Sequence, residues 1–86
     1  MELVRTARFK RAYRKLEPRH REQVKKALAQ LLTDRAHPGL RVKRVRGAKG
    51  VWELRAGREI RVTFEIETHA YVLRNVGHHD PTLKNP

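Results

Sequence analysis

Residues suited to proton transfer follow one another where an apolar stretch ends near the carboxyl end of the sequence. Their order is Val76, Gly77, His78, His79 and Asp80. An imidazole can both accept and donate a proton near neutral pH, which suits cleavage of an RNA chain by its own 2′ hydroxyl. Metal binding is the alternative use of these side chains, but no further ligands stand at a recognisable spacing. We therefore expect a proton-transfer site with no metal and no cofactor.

Two arginines are predicted to project from one face of neighbouring strands. Ile60–Glu67 alternates apolar and polar residues, so its apolar set faces a core and Arg61 projects from the other side. The same alternation in Val51–Arg55 places Arg55 on that other face. Guanidinium groups can hold phosphates through paired hydrogen bonds and stabilise added charge on phosphorus. The alternative is that Arg61 merely pairs with Glu53 across the sheet.

The composition also points to a polyanionic partner. Lys and Arg number 21 against 9 Asp and Glu among 86 residues, a formal net charge of +12. Such an excess predicts binding to a phosphate backbone with release of counterions, and RNA is the partner we expect. The alternative is a surface that charge merely keeps soluble. Further residues expected to contact RNA are Arg41, Lys43, Arg46, Arg74 and His78.

The length suits one hydrophobic core, so residues 1–86 are expected to form one domain. Cysteine is absent, which excludes disulfides and thiolate metal sites. No apolar run resembles a signal peptide or a membrane span, so we expect a cytoplasmic protein with no membrane partner.

The elements that must position these residues follow from periodicity. Apolar spacings of three and four predict helices over residues 7–16 and over 18 to about 33, which should form a hairpin. Strands are expected within residues 41–46, 51–55, 60–67 and 70–76, with a weak edge strand at 2–6. The predicted fold class is α+β, an N-terminal helical hairpin on one face of a four-stranded antiparallel sheet, with residues 2–6 available as an extra N-terminal edge strand. The other sheet face is left to solvent or ligand, and residues 77–86 are expected to be loosely held.

Most of the remaining aromatic residues are expected in the core and the remaining histidines on the surface, with Tyr71 open between core packing and base stacking. Trp52 and Phe64 fall on the apolar sheet face and are predicted to be core rather than base-stacking residues. The other histidines are expected on the surface: His20, His37 and His69.

This layout resembles the RelE/ParE superfamily of toxins from toxin–antitoxin pairs. The similarity runs over nearly the whole chain, in order and spacing. After the helical hairpin its segments are Val45-Arg46-Gly47, Val51-Trp52-Glu53-Leu54-Arg55, Ile60-Arg61-Val62 and Val76-Gly77-His78-His79-Asp80.

The resemblance implies a ribosome-dependent, metal-independent endoribonuclease that cuts mRNA in the decoding site, contacts rRNA there, and is silenced by a cognate antitoxin. It places the arginine that holds the scissile phosphate on Arg61 and a second basic residue on Arg55. It places the catalytic acid or base on His79. Several nucleases of this superfamily carry an aromatic residue shortly after the catalytic position, whereas Leu83, Lys84 and Asn85 stand here.

Two other functions remain open on the same resemblance. The ParE branch shares the fold, inhibits DNA gyrase and usually lacks the nuclease residues. A catalytically silent member would grip RNA with the basic sheet and leave it intact.

Overall fold

The computed structural model describes residues 1–86 as five strands and three α-helices. In chain order they are β1 (Glu2–Arg5), α1 (Ala7–Arg14), α2 (Pro18–Thr33), a 3₁₀ turn (Pro38–Leu40), β2 (Lys43–Arg44), β3 (Trp52–Arg55), β4 (Ile60–Ile66), β5 (Ala70–His78) and α3 (His79–Lys84). The sheet order is β1-β5-β4-β3-β2, with β1 parallel to β5 and the other pairs antiparallel.

The α+β class is confirmed, but the predicted four-stranded antiparallel sheet is wrong in one respect. The sheet has five strands and is mixed, because the edge strand at the N-terminal end pairs in parallel with β5. The helical hairpin therefore follows a strand. Thr6 joins the two elements, since its hydroxyl accepts from the Phe9 N–H at 3.1 Å and donates to the Leu73 carbonyl at 2.7 Å.

The helices bury their apolar stripes against one face of the sheet, here called the helix-covered face. Phe9 of α1 and Val24 and Leu31 of α2 are at most 1% exposed. They join Leu54, Val62, Phe64 and Leu73 of the strands in a core of 15 buried residues. Helix α1 ends at Arg14 rather than Leu16, and α2 has Pro18 at its first position, where the missing N–H costs nothing.

Strand β5 is longer and less regular than its apolar pattern predicts. It runs to His78 instead of ending before Gly77, because Gly77 pairs with Arg61 and His78 pairs with Ile60. A register shift between Thr63 and Phe64 of β4 leaves one extra residue in β5. Before and after this bulge the side chains of β5 alternate between the two faces of the sheet.

The expectation that residues 77–86 are loosely held is wrong. Residues 79–84 form α3, and Thr82 is 3% exposed. A Cβ built on Gly77 would lie 2.7 Å from the Thr82 hydroxyl, so only glycine leaves room for α3 at this point. The Pro86 carbonyl accepts from the Thr63 hydroxyl at 3.0 Å and from Arg74 at 3.1 Å. The C-terminal segment thus covers part of the sheet face opposite α1 and α2, here called the outer face.

Two expectations about single residues also change. His20 was expected on the surface but is 4% exposed, because it lies at the helical spacing of Val24 and Leu31 and joins their stripe. Trp52 packs against the core but is only partly buried, because a cavity lies beside it, lined in part by Arg35 and Ala36. None of the helices is long and apolar enough to cross a membrane.

Candidate functional site

Arg55 and Arg61 lie directly opposite each other on β3 and β4. Their neighbours Leu54 and Val62 are fully buried on the helix-covered face, so both arginines project from the outer face. Gly77 of β5 is the partner of Arg61 on its other side. Two guanidinium groups and one glycine therefore form a row across three adjacent strands.

Neither of these arginines forms an ion pair within the protein. Partial burial, and then the positive charges of Arg55 and Arg41, lower the pKa of Arg61, while Glu53 acts in the opposite sense. The guanidinium groups donate only to backbone carbonyls, Arg61 to that of Ile60 at 3.0 Å and Arg55 to that of Gly57 at 3.2 Å. No carboxylate lies within 4.0 Å of either one, so the alternative of an Arg61–Glu53 ion pair is not observed.

Arg41 is a third arginine whose charge acts on Arg61, and we call Arg41, Arg55 and Arg61 the arginine face. Its backbone has φ 47°, in the left-handed region that costs a residue with a side chain roughly 1–2 kcal/mol. The neighbouring Leu40 is 3% exposed and anchors this turn in the core. The turn thus holds Arg41 where its charge acts on Arg61.

Lys43 and Arg46 lie at the edge of the same face. With Glu53 and Leu83 they line a shallow cavity of about 320 Å³, and Lys43 is the register partner of Glu53. Sequence reasoning missed Leu83 as a wall of this cavity, because nothing in residues 79–84 predicts that they fold back over the sheet.

His79 begins α3, two residues after Gly77. Its Nδ1 lies 2.7 Å from the Asp80 carboxylate, and its backbone N–H donates to the Glu59 carbonyl at 3.0 Å. The hydrogen bond with His79, and then the charge of His79, lower the pKa of Asp80. When Nδ1–H donates to Asp80, Nε2 is the nitrogen that can exchange a proton with a ligand. No hydrogen bond joins His79 to Arg55 or Arg61.

His78 and Arg74 lie apart from the arginine face. The His78 side chain lies on the helix-covered side, where its ring meets the His20 ring edge-on at 5.5 Å between centroids. A carboxylate oxygen of Glu59 lies 3.6 Å from His20 Nε2 and 4.0 Å from His78 Nδ1. Arg74 is paired with Glu65 and also donates to the Pro86 carbonyl. The structure thus brings together Arg41, Arg55 and Arg61, with Lys43 and Arg46 beside them.

An apolar groove lies on the opposite side of the molecule, between β1, α1 and α2. Its volume is about 520 Å³, and its floor includes Leu3, Phe9 and Leu28. Its rim is basic, and its charged lining residues are Arg5, Lys10, Arg14 and Lys25. The groove was not predicted from the sequence, because it arises between elements rather than within one.

Comparisons with known proteins find similarity in structure only. No protein-family model matches the chain, and no curated protein matches it in sequence. The YoeB/ParE toxin from Agrobacterium tumefaciens has 16% identity and a TM-score of 0.76, with 92% of this chain and 99% of that one covered. The RelE of a RelB–RelE antitoxin–toxin complex from Methanococcus jannaschii has 15% identity and a TM-score of 0.74, with 96% and 99% covered.

The isolated RelE toxin of E. coli has 21% identity and a TM-score of 0.69, with 91% of this chain and 83% of that one covered. These similarities extend over almost the whole chain. The chain therefore has the fold of the RelE/ParE superfamily of toxins.

Proposed function

We propose that this protein is the toxin of a toxin–antitoxin pair and cleaves mRNA bound in the ribosomal decoding site. The observation that carries the proposal is the arginine face, where Arg55 and Arg61 stand opposite each other with no carboxylate partner. A phosphodiester can supply the missing negative charge and accept from both guanidinium groups at once. The likeness to RelE and YoeB/ParE toxins agrees with this use of the face.

In the proposed reaction the 2′ oxygen attacks the adjacent phosphorus, and the bond from phosphorus to the 5′ oxygen breaks. One proton leaves the 2′ hydroxyl and one reaches the 5′ oxygen, which yields a 2′,3′-cyclic phosphate and a 5′ hydroxyl. Arg61, with Arg55, stabilises the extra charge on the phosphorane. His79 Nε2 transfers one of the two protons, and Asp80 orients the ring through Nδ1.

A cleavage assay in a reconstituted translation reaction tests this proposal. Primer extension on the mRNA should detect cuts that require ribosomes and are lost with His79→Ala or Arg61→Gln. Arg11→Gln is the matched control. Arg11 is exposed on α1, so this substitution removes the same charge at a position away from the sheet. Cleavage that persists in His79→Ala would exclude His79 as the proton-transfer group.

A silent RNA-binding member is the second candidate function. It is favoured by the absence of any hydrogen bond between His79 and the arginine face. The resemblance favours it too, because Leu83, Lys84 and Asn85 follow His79 without the aromatic residue that several nucleases of the superfamily carry shortly after the catalytic position. In that case the chain binds ribosomes and blocks translation while the mRNA stays intact. DNA breaks in the presence of gyrase, with intact mRNA, would instead assign the protein to gyrase inhibition.

An antitoxin is the expected protein partner, as in the RelB–RelE complexes of similar fold. We propose that an acidic amphipathic segment of it binds in the basic-rimmed groove, where the rim meets its charge and the floor offers apolar contacts. Leu32 is 43% exposed in this groove, so Leu32→Glu should weaken binding of an acidic protein encoded beside this gene. Unchanged affinity by calorimetry would exclude the groove.

A further inference from the structure

An aromatic side chain lies between two arginines on the helix-covered face, at the end that the helices leave open. The Arg44 guanidinium lies 5.2 Å from the centroid of the partly buried Trp52 ring. In front of the ring is an open cavity of about 570 Å³, walled by Val42 and Ile66 and bordered by Arg35. We call Arg35, Arg44 and Trp52 the Trp52 site.

The two arginines of this site have no acidic partner. No carboxylate lies within 4.0 Å of Arg35 or Arg44. The Arg35 guanidinium is instead 5.9 Å from the centroid of the Tyr71 ring, and the adjacent Asp34 carboxylate is used by the Ala36 N–H at 3.0 Å. Arg44 therefore lies against the aromatic ring and Arg35 borders the apolar cavity, both without an acidic partner. This arrangement matches a ligand that has both a flat ring and a negative charge.

We propose that the Trp52 site binds an unpaired nucleobase of an RNA strand and that Arg35 and Arg44 hold phosphates of the same strand. Bases that are splayed out of a strand stack on aromatic rings and on guanidinium planes, without regard to their identity. An apolar peptide would also fit the cavity walls, but it would leave both cations without a counterion.

Strand β2 connects this site to the arginine face. Lys43 is paired with Glu53 and shares the outer face, whereas the next residue, Arg44, is paired with Trp52 on the other face. An RNA strand that follows these cations passes around the two-residue edge strand from one face to the other. The inference rests on the proposed function in one respect, that the ligand is RNA. It assigns to the Trp52 site the part of the RNA strand next to the phosphate that the arginine face binds.

The single tryptophan of the chain makes the site directly observable. The intact protein is titrated with a six-nucleotide oligoadenylate at low salt, with tryptophan fluorescence and the anisotropy of a labelled copy as two readouts. Stacking should quench the fluorescence in a saturable way. Arg44→Gln should weaken binding roughly 5- to 50-fold, whereas the equal charge change in Arg11→Gln, on the exposed side of α1, should weaken it less than about 3-fold.

Further measurements test whether binding involves a base stacked on Trp52 or only the charge of the phosphates. Trp52→Leu should bind roughly 5- to 150-fold more weakly by anisotropy, the range for one stacked base. An oligomer of abasic ribose phosphates should bind without quenching. RNA binding that leaves the fluorescence unchanged, or that is equal in Arg44→Gln and Arg11→Gln, overturns the inference.

The same titration distinguishes this inference from the proposed function. In a variant with both Arg55→Gln and Arg61→Gln the affinity should fall, but quenching at saturation should persist. Loss of mRNA cleavage with intact quenching would refute catalysis and leave the Trp52 site standing. A fluorescence change that an acidic antitoxin produces and RNA does not would overturn the inference and assign the cavity to a protein partner.

Discussion

Replacement of Arg55 by glutamine should separate ligand binding from folding. Arg55 is paired across the sheet with Arg61, whose pKa is lowered first by burial and next by Arg55. A lowered pKa means that the folded chain holds this proton less tightly than the unfolded chain, so the two charges together cost stability. Like charges directly opposite in a sheet destabilise it by roughly 0.2–1 kcal/mol.

Arg55→Gln is expected to increase the stability of the fold slightly and to weaken its binding to RNA. Because Arg55 is only partly buried, solvent screens the repulsion, and Arg55→Gln should raise the free energy of unfolding by at most about 0.5 kcal/mol. For a domain of this size that is a Tm increase of roughly 2–4 °C. Loss of one charged hydrogen-bonding group to phosphate should cost about 1.5–3 kcal/mol, roughly a 10- to 150-fold loss of affinity for single-stranded RNA.

Thermal melts and RNA anisotropy over a salt series measure both effects. The slope of log K against log salt should fall by about 0.7 for the one phosphate contact that is lost. Arg11→Gln makes the same change in net charge on the exposed surface of α1 and should change affinity less than about 3-fold. A Tm that drops by several degrees would show that Arg55 is a structural residue, and equal losses in both variants would show that only net charge matters.

Three further outcomes test the elements that hold this face. Gly77→Ala places a Cβ 2.7 Å from the Thr82 hydroxyl, so it should cost about 1–3 kcal/mol in chemical denaturation, and a second change, Thr82→Ala, should recover part of that loss. Glu65→Gln removes the partner of Arg74, with both side chains about one-third exposed, and should cost no more than about 1 kcal/mol, an effect that shrinks in high salt. The lowered pKa of Asp80 means that its carboxylate stabilises the fold above about pH 4 and that this contribution is lost as the pH falls through the folded-state value. Melts of the native chain and of Asp80→Asn should therefore differ at pH 7 and converge as the pH falls through the folded-state pKa of Asp80; a difference that stays constant would contradict the assigned hydrogen bond.

Much of the fold follows from periodicity in the sequence. Residues 18–33 form the predicted second helix, and the strict alternation after Ile60 forms a central strand with Arg61 on the outer face. These predictions depend on side-chain direction within one element, and a shift of one residue would bury the arginines and expose the core. The alternation of apolar and polar residues also places Arg55 and Arg61 on one face of the sheet, whatever the pairing of the strands.

Long-range contacts decided what periodicity could not. The parallel pairing of β1 with β5 joins residues nearly seventy positions apart, and it is held in part by the Thr6 hydroxyl on the Leu73 carbonyl. Likewise, α3 depends on the fit of Thr82 over Gly77, and no local pattern in residues 77–86 predicts this contact. The four-residue spacing of His20 to Val24 places His20 on the apolar stripe of α2, and this spacing is the sequence signal for its burial.

The sequence by itself determined the charge, the two helices, the alternating strands and the two arginines of the outer face, because each depends on composition or on residues close together in the chain. Only the tertiary structure decided that Arg74 is occupied by Glu65 and that His78 lies on the other side of the sheet. The physical reason is that a long charged side chain goes to whichever partner the packed elements bring within reach, and that partner is set by contacts distant in sequence.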